Sequence, residues 1–269
     1  MVLLQVMAGL AVPLAATAYT GHLSGFLRES YVAIRNAVLW RWFIFNLFRL
    51  WKLPDLSSSQ GRSHLLILGS SVAKGEGAEA GPEPFLGWPQ RLEAALHERT
   101  PQKWQVTNAA VQFTQSFLWH QLITTKASAD DLQPYSVIIL SISVGNEGFT
   151  FIQAEDRLRE IAQHFLNYTR KTVTELRAKM RPGARLVLAS PYAHDDYTLQ
   201  HLAIVEEIRA EMATWNEVDH YIDFLQDVAR DPKGHWPEGG SRDSAHPNSL
   251  GHEGMFKCLD LPSVFGEFW

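Results

Sequence analysis

His64-Leu65-Leu66-Ile67-Leu68-Gly69-Ser70-Ser71 is the stretch on which the reading of this chain turns. His64 to Leu68 is a short apolar run closed by a glycine, which predicts a buried strand rather than a helix. A serine just beyond such a strand and glycine stands where a nucleophile can be presented at a sheet edge. Its counterpart lies near the other end, in Asp243-Ser244-Ala245-His246-Pro247-Asn248. A carboxylate three residues before a histidine can orient a general base on one short loop.

Outward from that first strand the pattern is strand and helix in alternation. Helices are predicted over Trp88 to Glu98, Thr114 to Lys126, Gln153 to Met180 and Thr198 to Asn216. Strands are predicted over Trp104 to Thr107, Val137 to Ser143, Arg185 to Ala189 and His220 to Phe224. The continuous β-branched run Val137-Ile138-Ile139-Leu140-Ser141-Ile142-Ser143 predicts a strand covered on both faces. Such alternation implies a parallel sheet with helices on both sides. Ser71, Asn108, Asn146 and Pro191 each follow a predicted strand, so they should meet at the carboxyl edge, where these sheets bind ligands.

With 269 residues, 46% hydrophobic and 20% charged, the chain can bury a full core: one catalytic domain of roughly 200 residues plus an appendage. A net charge of −5 argues against a nucleic-acid surface, which needs a basic patch. The single cysteine, Cys258, excludes an internal disulfide framework and a cysteine-rich metal site.

The appendage is residues 1–53, expected as apolar and amphipathic helices that associate with a membrane. Met1 to Leu27 carries no charged side chain and is about long enough to span, although Gly9, Pro13 and Gly21 interrupt it. No Lys or Arg precedes Arg28, which counts against a cleaved signal peptide. From Tyr31 to Trp51, Arg35, Arg41 and Arg49 share a sector with Arg28, while Trp40, Phe43, Phe45 and Phe48 occupy the rest; this is the pattern of an interfacial helix. Positive residues after the apolar run place the catalytic domain on the cytosolic side. The polar stretch 54–63 reads as a linker and 64–269 as the catalytic domain. The sequon Asn167-Tyr168-Thr169 falls in a predicted helix.

The order of motifs carries a resemblance. Gly69-x-Ser71 after the first strand, Asn108-Ala109-Ala110 after the second, Asn146 after the third and Asp243-x-x-His246 near the end resemble the blocks of the SGNH (GDSL-type) hydrolases. Gly87-Trp88-Pro89 and His246-Pro247-Asn248 with Gly251 and His252 strengthen the likeness, which spans about Leu65 to Phe256. It implies a flavodoxin-like three-layer α/β/α fold around a parallel sheet. It implies Ser71 as nucleophile, His246 as base and Asp243 as the acid that orients it. The oxyanion donors it implies are the N–H groups of Ser71 and Ala110 and the amide of Asn146. No metal or organic cofactor is implied, and His246 with His252 lacks a further ligand pattern.

The chain departs from the family pattern in three places. Ser70 stands where the family usually has aspartate, which leaves Ser70 as the alternative nucleophile. Ala110 replaces a glycine, and its N–H can serve only with φ below zero. Val144-Gly145-Asn146-Glu147 moves a glycine beside the asparagine and replaces Asp with Glu. The expected activity is hydrolysis of a carboxylic ester, acyl lipids included. An acyltransferase using the same triad and a non-catalytic membrane-associated binding protein remain as alternatives. The loops Ala73 to Pro89 and Pro191 to Thr198, the latter with His194-Asp195-Asp196, should shape the pocket; oligomeric state is not legible.

Overall fold

The computed structural model describes residues 40–56, 62–79, 86–100 and 103–269. The chain divides into two units, Met1–Trp51 and Lys52–Trp269. In the first, residues 40–50 form a helix, α1, with Trp40 stacked on Phe43. Its Trp42, Phe45 and Leu50 are exposed, as are Arg41 and Arg49. No helix among the described residues is long and apolar enough to cross a membrane. The spanning stretch expected before residue 28, and the interfacial helix before residue 40, lie outside the described residues.

The second unit is built on five parallel strands in the order β2-β1-β3-β4-β5. They are β1 (Ser63–Gly69), β2 (Trp104–Asn108), β3 (Val137–Ser141), β4 (Arg185–Ala189) and β5 (His220–Ile222). The helices between them are α2 (Ser71–Lys74), α3 (Trp88–Arg99), α4 (Ser116–Lys126), α5 (Ala129–Leu132), α6 (Glu155–Lys179) and α7 (Leu199–Met212). A two-stranded hairpin, β6 (Ser241–Asp243) with β7 (His246–Pro247), then leads into α8 (Ser249–Lys257) and α9 (Leu261–Phe265).

Alternation along the strands sorts the core. Leu65, Ile67, Val137, Ile139 and Val187 join Trp88, Leu92 and Leu96 of α3 and Met255 of α8 in one cluster. Their neighbours Leu66, Leu68, Ile138, Leu140, Leu186 and Leu188 are equally buried, with α6 and α4 packed together. Layers of helix, sheet and helix result, and both faces of the strands are apolar because both are covered. Cys258 is buried beside this core; its Sγ–H donates to Gly254 O, and burial pushes the thiol up to about 12.

β3 ends at Ser141, two residues before the sequence pattern predicts, because Ser143 Oγ accepts from Gly145 N–H and starts a 3-10 turn, Val144–Glu147. The sequon lies within α6, with Thr169 buried.

Candidate active site

In the strand order 2-1-3-4-5 the chain leaves β1 and β3 in opposite directions, and the crevice at their carboxyl ends is the ligand position. Ser71 stands there. Gly69 carries φ +156°, and a Cβ on it would fall 2.0 Å from Ser141 O, so only glycine fits this exit. Ser70 is extended, and Ser71 opens the single turn α2. As the first residue of a helical turn, its N–H has no intrahelical acceptor.

The two serines diverge. Ser70 Oγ is fully buried against Tyr192 Oη at 3.0 Å, and Tyr192 also reaches Ser143. Ser71 Oγ meets His246 Nε2 at 2.9 Å. His246 Nδ1 faces Asp243 Oδ1 at 2.8 Å, and the same oxygen accepts from the N–H groups of Ala245 and His246 at 3.0 Å each. The Asx-turn that folds this hairpin and the contact that orients the imidazole therefore share one atom. The other oxygen, Oδ2, accepts from Arg242 Nε at 2.9 Å. Burial draws the Asp243 carboxyl upward, but the bonds from His246 and Arg242 outweigh it and hold the group below its ordinary range. Arg242 also pairs with Glu79 and, at 3.5 Å, with Glu76.

The hairpin is fastened from three sides. Asn248 caps α8 by accepting from Leu250 and Gly251 N–H, while its Nδ2 donates to Gly239 and Ser241 carbonyls. Gly77, at φ +100°, passes so near Pro247 that a Cβ would lie 2.0 Å from its carbonyl. Asp195 N–H donates to Ser244 O at 2.9 Å. His252 bridges Trp88 N–H and Glu76 O, and its burial drives it down to about 4, which makes it a neutral structural link.

The expected oxyanion donors are less uniform. Phe113 is the one described non-glycine residue with positive φ, so Ala110 meets the condition set for it. Its N–H nevertheless donates to Asn108 Oδ1 at 3.1 Å, while Asn108 Nδ2 binds Ala73 O. Asn146 Nδ2 donates one hydrogen to Thr114 O at 3.0 Å and retains a second. The neighbouring Glu147 accepts from Ser116 N–H at 2.7 Å, fastening this turn to the start of α4. Burial raises the Glu147 carboxyl, with the Ser116 bond opposing it. Asp243, His246 and Ser71 are thus one continuous hydrogen-bonded line. Tyr192 and Arg242 went unmarked in the sequence because their partners are far away along the chain.

The model of the GDSL-like lipase/acylhydrolase family matches residues 67–253, well over half of the chain. The chain belongs to that family. It is a serine ester hydrolase of the esterase and lipase type. No curated protein matches the chain. Among solved structures, the family fold recurs in a lipase, Lip_vut3, from a goat rumen metagenome, at 16% identity and a TM-score of 0.63; 77% of this chain covers 100% of that one. TesA follows at 15%, with a TM-score of 0.53 and 77% and 100% coverage. Axe2, an acetylxylan esterase from Geobacillus stearothermophilus, is similar at 14% and 0.52, with 77% and 96% coverage. At these identities the likeness is one of fold. The GDSL-like family's parallel sheet is the one described above.

Proposed function

We propose that the protein is a membrane-associated serine esterase that cleaves carboxylic esters, acyl lipids among them, through an acyl-Ser71 intermediate. The observation that carries this reading is the line Ser71 Oγ–His246 Nε2–His246 Nδ1–Asp243 Oδ1, at 2.9 and 2.8 Å. His246 Nε2 takes the Ser71 hydroxyl proton as Oγ attacks the ester carbonyl carbon. Collapse of the tetrahedral adduct breaks the bond to the alkoxy oxygen, which leaves with the proton from His246. Water then repeats both steps and frees the acid. Asp243 holds the imidazole tautomer and stabilises the imidazolium.

Among the described residues, two of the expected oxyanion donors have no competing acceptor, the Ser71 N–H and the second hydrogen of the Asn146 amide. Ala110 joins them only by giving up or sharing Asn108 Oδ1. No step calls for a metal or organic cofactor.

Residues 1–53 form the membrane-associating segment, 54–63 a linker and 64–269 the hydrolase domain. Exposed Trp42, Phe45 and Leu50 beside Arg41 and Arg49 suit an interfacial helix. The positive residues that follow the apolar run put the hydrolase domain on the cytosolic side.

Fluorophosphonate labelling tests the chemistry. Wild type labels, Ser71→Ala does not, and His246→Ala labels far more slowly. A folded wild type that never labels overturns the proposal. Flotation with anionic vesicles tests the tether: the full chain floats, and a chain starting at Lys52 stays at the bottom.

A further inference from the structure

At the carboxyl edge β1, β3 and β4 are neighbours, and the segment leaving β4 carries Tyr192. Its hydroxyl meets Ser70 Oγ at 3.0 Å and also bonds the Ser143 side chain. Ser70 stands one residue before Ser71, and Ser143 one residue before the turn Val144–Glu147 that carries Asn146. One buried phenol oxygen thus ties the exit toward the nucleophile to the exit toward an expected oxyanion donor. A phenol can serve both, having one proton to give and lone pairs to receive. The two bonds differ in consequence. The Ser70 side chain makes no capping bond to α2, and its exit is held by backbone: Ser70 N–H donates to Ser141 O at 3.3 Å and Lys74 N–H to Ser70 O at 3.0 Å. The Ser143 hydroxyl is itself the cap of its turn, accepting from Gly145 N–H at 3.2 Å.

Resting on the Ser71 reading above, we propose that Tyr192 is a positioning residue for ester cleavage: its hydroxyl holds Ser143 and, through that cap, fixes the Asn146 amide against the developing oxyanion. Such a donor works only when it is aimed in advance, and a small displacement is costly in rate. The bond from Asn146 Nδ2 to Thr114 O fixes one hydrogen of the amide. The Ser143 cap fixes the backbone that carries it. The Tyr192 ring is seated independently of its hydroxyl: it is buried and stacks on Trp236, with centroids 5.9 Å apart and planes 25° from parallel. Burial raises the phenol above its ordinary range, against the bonds to Ser143 and Ser70, so the hydroxyl keeps its proton.

The test follows kcat and KM of the full chain for p-nitrophenyl butyrate, in wild type and in the Asn146→Ala background. Tyr192→Phe lowers kcat about tenfold and leaves KM within about twofold, because the lost alignment matters in the transition state. In the Asn146→Ala background the same change costs less than about twofold, since two residues acting through one contact do not lose it twice. Ser70→Ala, which removes the other bond of the same phenol, keeps kcat within about twofold of wild type. If Tyr192→Phe lacks the wild-type circular dichroism, Ser143→Ala takes its place with the same two expectations. The full loss recurring in the Asn146→Ala background, an equal loss in Ser70→Ala, or no loss at all, with hydrolysis abolished by Ser71→Ala, overturns the inference only. Hydrolysis that survives Ser71→Ala, or is absent from wild type, overturns the Ser71 reading and this inference with it.

Discussion

Asp243 Oδ1 accepts from two backbone amides and one imidazole, so a single atom serves both the turn and the base. Asp243→Asn puts an amide where the imidazole N–H needs a carboxylate. The expected result is a fall in kcat of roughly 10³–10⁴, read by ester hydrolysis, by analogy with other Ser-His-Asp enzymes. Ser70→Ala is the complementary case. It removes one buried bond to Tyr192 and leaves labelling intact, while costing about 1 kcal/mol in a urea melt. The pair Ser70-Ser71 was ambiguous in the sequence because adjacent hydroxyls carry no direction. Tyr192, 122 residues away, supplies it. Ser71, Asp243 and His246 were expected together because each lies in a short linear pattern, and they stand within hydrogen-bond distance of one another. Arg242 was not among them, since its value depends on Glu79, 163 residues distant.

At the scale of elements, two bonds hold the turn Val144–Glu147, Asn146 to Thr114 O just before α4 and Ser116 N–H at its start to Glu147. Glu147→Ala releases one of them and loosens the Asn146 amide. The expected effect is a drop in kcat of about tenfold with KM little changed, the signature of a contact made in the transition state. Gly77→Ala acts on the other wall: its methyl meets Pro247 O and pushes the base hairpin away from Ser71. Labelling should slow at least tenfold. Strand and helix order was legible because burial on both faces enforces continuous apolar runs, as in Ile138-Ile139-Leu140. Ends were less so, because polar side chains set them: Ser143 stops β3 early, and Thr198 caps α7 from outside it. The hairpin β6–β7 has no apolar alternation to reveal it.

For the molecule as a whole, His252 ties α8, the start of α3 and the Glu76 loop together only while neutral. The unfolded chain binds a proton there near pH 6.5, the folded chain only near 4. Stability is therefore full above pH 6.5 and declines as the pH falls through that window, by about 3 kcal/mol at its foot. His194, His220 and His120, also held down by burial, add in the same direction. Urea melts at pH 7 and 4.5 measure the decline, and His252→Gln should flatten it. The sequence changes from apolar and cationic residues to polar ones near residue 54, and the two units meet at Trp51–Lys52.

Asp243 and His246 ride on a two-stranded ribbon outside the five-stranded sheet, fastened to the sheet-bearing body by a few loop contacts. Such a ribbon can open on its own, at far lower free energy than the strands beneath it. The protein should therefore pass through a state that is native by circular dichroism yet catalytically dead. On gentle heating, activity should vanish first, amides 241–247 should exchange ahead of those in β3, and cooling should bring turnover back without any refolding of the core.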